Sequence, residues 1–137
     1  MTTLTVGKLL SEKREFFEFF PLLEDIGYEK NLTNSLTHRP GLALSGYMGY
    51  YLWERVQIIG ITETGYLETL APDQRREAVN RITSFELPCI IVTKGLPVQP
   101  DLVTIAAERG IPVLRTDLDG WVAVAVKDGQ VIRIISP

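Results

Sequence analysis

Glu54-Arg55-Val56-Gln57-Ile58-Ile59-Gly60-Ile61-Thr62-Glu63-Thr64 sets the reading of the fold. Val56 to Ile59 is a short, mostly β-branched apolar run closed by Gly60, the pattern of a buried strand. Thr62 or Thr64 can cap a helix bearing Tyr66, Leu67 and Leu70. A strand leading into a helix is half of a βαβ unit, and the pattern recurs downstream. Pro72 occupies a first helical position, Asp73 favours the positive end of that helix, and Ala78, Val79 and Ile82 mark the inward face of a helix running to about Ser84. Pro88 to Thr93 reads as a second strand, closed by Lys94-Gly95. Pro100 and Asp101 open another helix with Leu102, Ile105 and Ala106 on one face and Gly110 at its end, and Ile111 to Arg115 is a third strand. Strands alternating with helices in this way predict a largely parallel sheet. The chain then changes character: Trp121–Val126 and Val131–Ile135 flank Lys127-Asp128-Gly129-Gln130, a strong antiparallel hairpin signal.

Upstream, Thr5 can cap a helix with Val6, Leu9 and Leu10 on one face. Phe16, Phe17 and Phe20 share a helical face, which predicts inward packing until Pro21 stops or turns the segment. Residues 24–35 are polar and poorly periodic, and read as a loop with one short strand around Leu32. The expected architecture is one α/β domain over 1–137: three layers, a mostly parallel sheet flanked by helices, and a C-terminal β-hairpin.

A chain of 137 residues with 45% apolar and 23% charged residues can fold on one core without staples. Its net charge of −3, from seventeen acidic and fourteen basic residues, argues against a general nucleic-acid binder. One cysteine, Cys89, and one histidine, His38, allow neither an internal disulfide nor a Cys/His zinc site. Cys89 is expected as a small buried strand residue. The first residues lack a signal peptide's basic and apolar regions, and no apolar run approaches the ~20 residues of a membrane span. The expectation is a cytoplasmic protein with no metal and no cofactor.

A nucleoside-triphosphate loop needs Gly-x4-Gly-Lys-Ser/Thr, so that amides and a lysine cradle the phosphates and a hydroxyl binds magnesium. Gly60-x4-Gly65 is followed by Tyr66-Leu67 and Gly41-x4-Gly46 by Tyr47-Met48, so neither qualifies. No catalytic set is assembled: His38 has no nucleophile elbow or orienting partner, and the chain by itself is read as not an enzyme.

Several stretches resemble the N-terminal domain of the HPr kinase/phosphorylase family. They are Arg39-Pro40-Gly41-Leu42-Ala43-Leu44-Ser45-Gly46-Tyr47, the 54–63 stretch, the helix after Leu70-Ala71-Pro72-Asp73-Gln74-Arg75-Arg76-Glu77-Ala78-Val79, Pro88 to Leu96, and Ala106 to Thr116. They occur in the family's order from about Thr5 to about Thr116, and 117–137 diverge. The resemblance implies a fold like the first domain of the Mur ligases, in which a related Arg-plus-Gly segment helps hold a uridine nucleotide. It implies a bacterial regulatory or assembly domain in the phosphotransferase system, serving carbohydrate-linked phosphorylation. The partners that the resemblance implies are further copies of the chain, as in the family's hexamer, or a kinase domain. A full-length parent would be an ATP-dependent serine kinase/phosphorylase, whose catalytic residues match nothing here.

Two residue groups carry the remaining functional expectations. Thr62, Thr93, Lys94, Arg115 and Thr116 fall at strand ends; if the strands are neighbours they converge on one sheet edge, where cations and hydroxyls suit a phosphate or carboxylate. A small anionic metabolite, a sugar phosphate or nucleotide, is the expected ligand, with Arg39 either anchoring its Pro-Gly turn or contacting that ligand. An ordinary solvated rim, with helix caps, explains the same residues without a ligand. Tyr47, Tyr50, Tyr51 and Trp53 form the densest aromatic cluster, part of it packing on the sheet and part available for assembly.

Overall fold

The computed structural model describes residues 4–32, 37–117, 123–127 and 130–135. Helix α1 (Val6–Phe17) precedes strand β1 (Phe19–Pro21), the two-residue strand β2 (Thr37–His38) and the single-turn helix α2 (Gly41–Leu44). Strand β3 (Val56–Ile59) leads into α3 (Ile61–Thr69) and α4 (Pro72–Thr83), then β4 (Ile90–Val92), α5 (Pro100–Glu108) and β5 (Val113–Thr116). Strands β6 (Ala123–Lys127) and β7 (Gln130–Ile135) follow.

The main sheet has five strands in the order β1-β5-β4-β3-β2. Strands β2 to β5 pair in parallel, with Ile58 opposite Ile91 and Ile91 opposite Leu114, while β1 runs antiparallel along β5. Alternation along each strand sorts side chains between two cores. Ile59, Ile90, Val92 and Val113 pack with Leu67, Val79, Ile82, Leu102 and Ala106 of the crossover helices. Val56, Ile58, Cys89, Ile91 and Leu114 pack on the other face with Leu4, Val6, Leu9 and Leu10. Burying an aliphatic side chain of this size contributes about 1.5–3 kcal/mol, so both faces need cover. The three-layer, mostly parallel α/β architecture is thereby established.

Most predicted elements sit where their punctuation put them. Thr5 caps α1, its Oγ1 accepting from the Lys8 amide at 3.1 Å. Pro72 opens α4, and Gly110, at φ 69°, follows α5. Helix α3 differs, because Thr62 and Thr64 lie inside it and Gly60 is its N-cap. The Phe16–Phe20 reading also needs correction. Helix α1 ends at Phe17, Glu18 turns left-handed at φ 53°, and the next residues are extended. The period switches from 3.6 to 2, so Phe19 is buried and Phe20 is 51% exposed. The inward packing of Phe16 and Phe17 lies outside the described side chains. Leu32 is buried beside a single antiparallel bridge between Asn31 and Thr5, in place of the short strand. Strands β6 and β7 pair antiparallel as a separate two-stranded sheet, with an irregularity between Ala125 and Val126. Trp121 and the Asp128-Gly129 turn lie outside the described residues. No helix among the described residues is long and apolar enough to cross a membrane.

Candidate functional site

Parallel β2, β3 and β4 end side by side, and the residues after each strand meet at that carboxyl edge. Such an edge is where open α/β sheets present ligand-binding groups. Arg39 follows β2, Gly60, Ile61 and Thr62 follow β3, and Thr93 and Lys94 follow β4; with Ile58 they line a cleft of about 150 Å³. Arg39, Thr62, Thr93 and Lys94 are thus brought together. Arg39 joins only because β2 is the parallel neighbour of β3, a long-range pairing that local pattern does not encode.

The cleft is organised by Glu63. Its Oε1 accepts from the Gly60 amide at 2.7 Å and from Arg39 Nη2 at 2.9 Å and Nε at 3.3 Å. The first contact is the N3 half of a capping box; Gly60 has no side chain to form the other half, so the sequence lacks the usual signature. The second ties β2 to the start of α3. The Glu63 side chain is 4% exposed and that of Arg39 40%, so the carboxylate is enclosed while the guanidinium reaches solvent. A side chain at Gly60 would displace the Arg39 guanidinium from this contact. A β-carbon there would run into Arg39 Nη2 and lie 3.4 Å from Glu63 Oε1.

Lys94 is held in the left-handed region at φ 59°, followed by Gly95 at φ 60°. The Leu96 amide donates to the Thr93 carbonyl at 3.1 Å, closing a turn whose two central residues both have positive φ. The Gly95 amide donates to the Thr116 carbonyl at 2.9 Å, and Arg115 Nη2 donates to the Gly95 carbonyl. This last contact corrects the expectation for β5. Arg115 braces the Lys94-Gly95 turn and does not line the cleft, and Thr116 is fully buried. Among the described residues Lys94 has no salt-bridge partner, and its side chain is exposed at the cleft. Thr93 is 1% exposed, with Oγ1 3.5 Å from the Ile59 carbonyl.

A second cleft, of about 100 Å³, adjoins the first and shares Arg39. His38, Leu42, Ala43, Tyr47, Tyr50 and Tyr51 complete its lining. Tyr51 departs from the expected assembly cluster. It is 8% exposed, donates its hydroxyl to the Ile82 carbonyl at 2.7 Å, and packs edge-on against Phe85. Burial pushes its phenol above the ordinary range. Tyr47, Tyr50 and Trp53 remain exposed, with Trp53 stacked on Phe85 at 5.9 Å. His38 sits 5.7 Å from the Tyr51 ring; burial lowers its pKa, Arg55 lowers it further, and Glu54 partly opposes both. Burial pushes the Cys89 thiol up to about 12. Among the described residues no group of three His, Cys, Asp or Glu could hold a metal ion.

Residues 4–124 match the family described as HPr Serine kinase N terminus. The match extends past Thr116 into β6. Curated relatives include HPr kinase/phosphorylase of Lactiplantibacillus plantarum, 37% identical over 85% of this chain and 36% of the relative. The same enzyme of Chlorobium phaeovibrioides is 49% identical over 58% of this chain and 24% of the relative. The chain therefore spans about a quarter to a third of the curated relatives it matches. Among solved structures, the CBS and DRTGG domains of the regulatory region of Clostridium perfringens pyrophosphatase, complexed with diadenosine tetraphosphate, align with a TM-score of 0.54. That alignment has 12% identity, covers 83% of this chain and 43% of that one, and shows a shared fold. By its family match, this chain belongs to the HPr serine kinase N-terminal family.

Proposed function

We propose that this chain is a non-catalytic regulatory or assembly domain of the HPr kinase/phosphorylase type, serving the control of carbohydrate-linked phosphorylation. The observation that carries this reading is the match of nearly the whole chain to the N-terminal part of those enzymes alone. The sequence supports it, since neither glycine pair supplies the lysine and hydroxyl of a phosphate-cradling loop. The domain acts by contact, through further copies of itself or a kinase domain, with Tyr47, Tyr50 and Trp53 as the exposed aromatic anchors. Incubating the purified chain with HPr, ATP and magnesium is expected to give neither ATP turnover nor phosphorylated HPr. Reproducible turnover that scales with the chain would refute the proposal.

A second reading rests on the cleft at the strand ends. Arg39, Lys94 and Thr62 present two cations and one hydroxyl at one opening, with Thr93 buried beneath them, a set suited to a small anionic metabolite. Calorimetry with inorganic phosphate and sugar phosphates tests it. Binding weakened by Lys94→Gly supports the site, and binding indifferent to that substitution removes it.

A further inference from the structure

The two clefts differ in chemistry and meet at one side chain. On one side of Arg39 lie Lys94, Thr62 and the amino end of α3; on the other lie Leu42, Tyr47 and Tyr50 over a floor of Ala43 and Tyr51. From this juxtaposition we infer that the edge binds a ring-bearing phosphate ester, its phosphate between Arg39 and Lys94 and its planar ring against Tyr47 and Tyr50. The inference rests on the anion reading of the first cleft and narrows its ligand to esters whose planar ring reaches Tyr47 and Tyr50.

Each end has capacity to spare. Glu63 engages Arg39 through Nε and Nη2, and among the described residues Nη1 makes no hydrogen bond. Glu63 cancels much of the Arg39 charge, so the net cation at the opening is Lys94, fixed there by its left-handed turn. Asp117 also lies against that turn, its Oδ1 2.8 Å from where a Gly95 β-carbon would stand. At the other end Tyr50 is 76% exposed and Leu42 66%, a large apolar exposure beside a cationic cleft. The Tyr47 and Tyr50 rings are 6.2 Å apart and inclined at 48°, open as a corner and not closed on each other. Planar rings stack on such faces, and the shared guanidinium can hydrogen-bond the ester between the two ends.

Volume limits the ligand. Clefts of about 150 and about 100 Å³ fall short together of the roughly 300 Å³ at the lower end of drug-sized sites. That selects a mononucleotide-sized compound, partly open to solvent, over a dinucleotide.

The experiment compares inorganic phosphate, ribose 5-phosphate, a nucleoside and its 5′-monophosphate by calorimetry on the intact chain. The monophosphate is expected to bind about tenfold more tightly than ribose 5-phosphate, the increment of one stacked ring. Tyr50→Ala is expected to erase that advantage and leave ribose 5-phosphate binding unchanged, whereas Lys94→Gly weakens both esters by the same factor. Tyr50 and Lys94 are exposed, so both variants are expected to fold, and their melting curves verify it. Equal affinity for the two esters, or a ring increment that survives both Tyr50→Ala and Tyr47→Ala, would overturn the ring assignment while the anion reading stands. A nucleoside binding as tightly as its monophosphate would overturn the bridging role of Arg39. Absence of binding by all four compounds would remove both readings.

Discussion

Glu63 places three donors on one buried oxygen, so its removal is felt at two levels. Alanine there deletes the amide contact that closes the start of α3 and leaves Arg39 without its partner. Because Arg39 is substantially exposed, its share is modest, and the main loss is the cap. Glu63→Ala is expected to lower stability by about 2 kcal/mol and Glu63→Gln, which retains an acceptor oxygen, by about half as much. Urea midpoints measure both; equal losses would mean that charge and not geometry governs the contact. His38 offers a pH signature. Its folded pKa lies below the ordinary value of 6.5, so the folded state binds fewer protons than the unfolded chain as pH falls through that value. The stability it supports is complete above the unfolded pKa and declines as pH drops towards the folded one. Comparing urea midpoints at pH 7.5 and 5.5, His38→Gln is expected to lose less stability than the parent; parallel losses would assign the dependence to carboxylates.

Among elements, the β4–α5 turn is where geometry and stability pull apart. A left-handed conformation costs an L-residue about 1–2 kcal/mol that glycine does not incur, yet Lys94 occupies it. Lys94→Gly is therefore expected to raise stability by about 1 kcal/mol in thermal or urea melts, and a loss would mean that the lysine makes stabilising contacts in the fold. This turn was legible in the sequence as a Lys-Gly stop after an apolar run, as were β3, β5, α4 and α5 from apolar segments bounded by glycine or proline. Strand β2 and helix α2 were not, since two and four residues are too short to show a period. The same shortness hid the site's completion. Thr62, Thr93 and Lys94 could be placed at strand ends, but Arg39 reaches them only through the β2–β3 pairing. Position alone put Arg115 at the same edge, while its hydrogen bond to Gly95 directs it to the turn.

At the scale of the molecule, two cores on opposite faces of one sheet make the domain a unit, and Cys89 reports on it. The thiol is fully buried between β-strand neighbours and α1, with its pKa pushed up to about 12, so attack requires opening of the fold. Labelling by a thiol reagent is expected to be at least about a thousandfold slower in native buffer than in urea, given the opening free energies of stable domains. Rapid native labelling would show that the α1 face opens locally. The same compact unit corresponds to about a quarter to a third of an HPr kinase/phosphorylase. Its proposed role is best tested within such an enzyme. The corresponding N-terminal residues of the Lactiplantibacillus plantarum relative are deleted, or replaced by this chain, and HPr phosphorylation, its response to metabolites and the assembly state are measured. Deletion is expected to leave phosphoryl transfer in place while changing assembly or metabolite response, and the replacement to restore them. Loss of phosphoryl transfer on deletion, in a protein that still folds, with recovery on replacement, would make the domain part of the catalytic machinery and contradict a non-catalytic role.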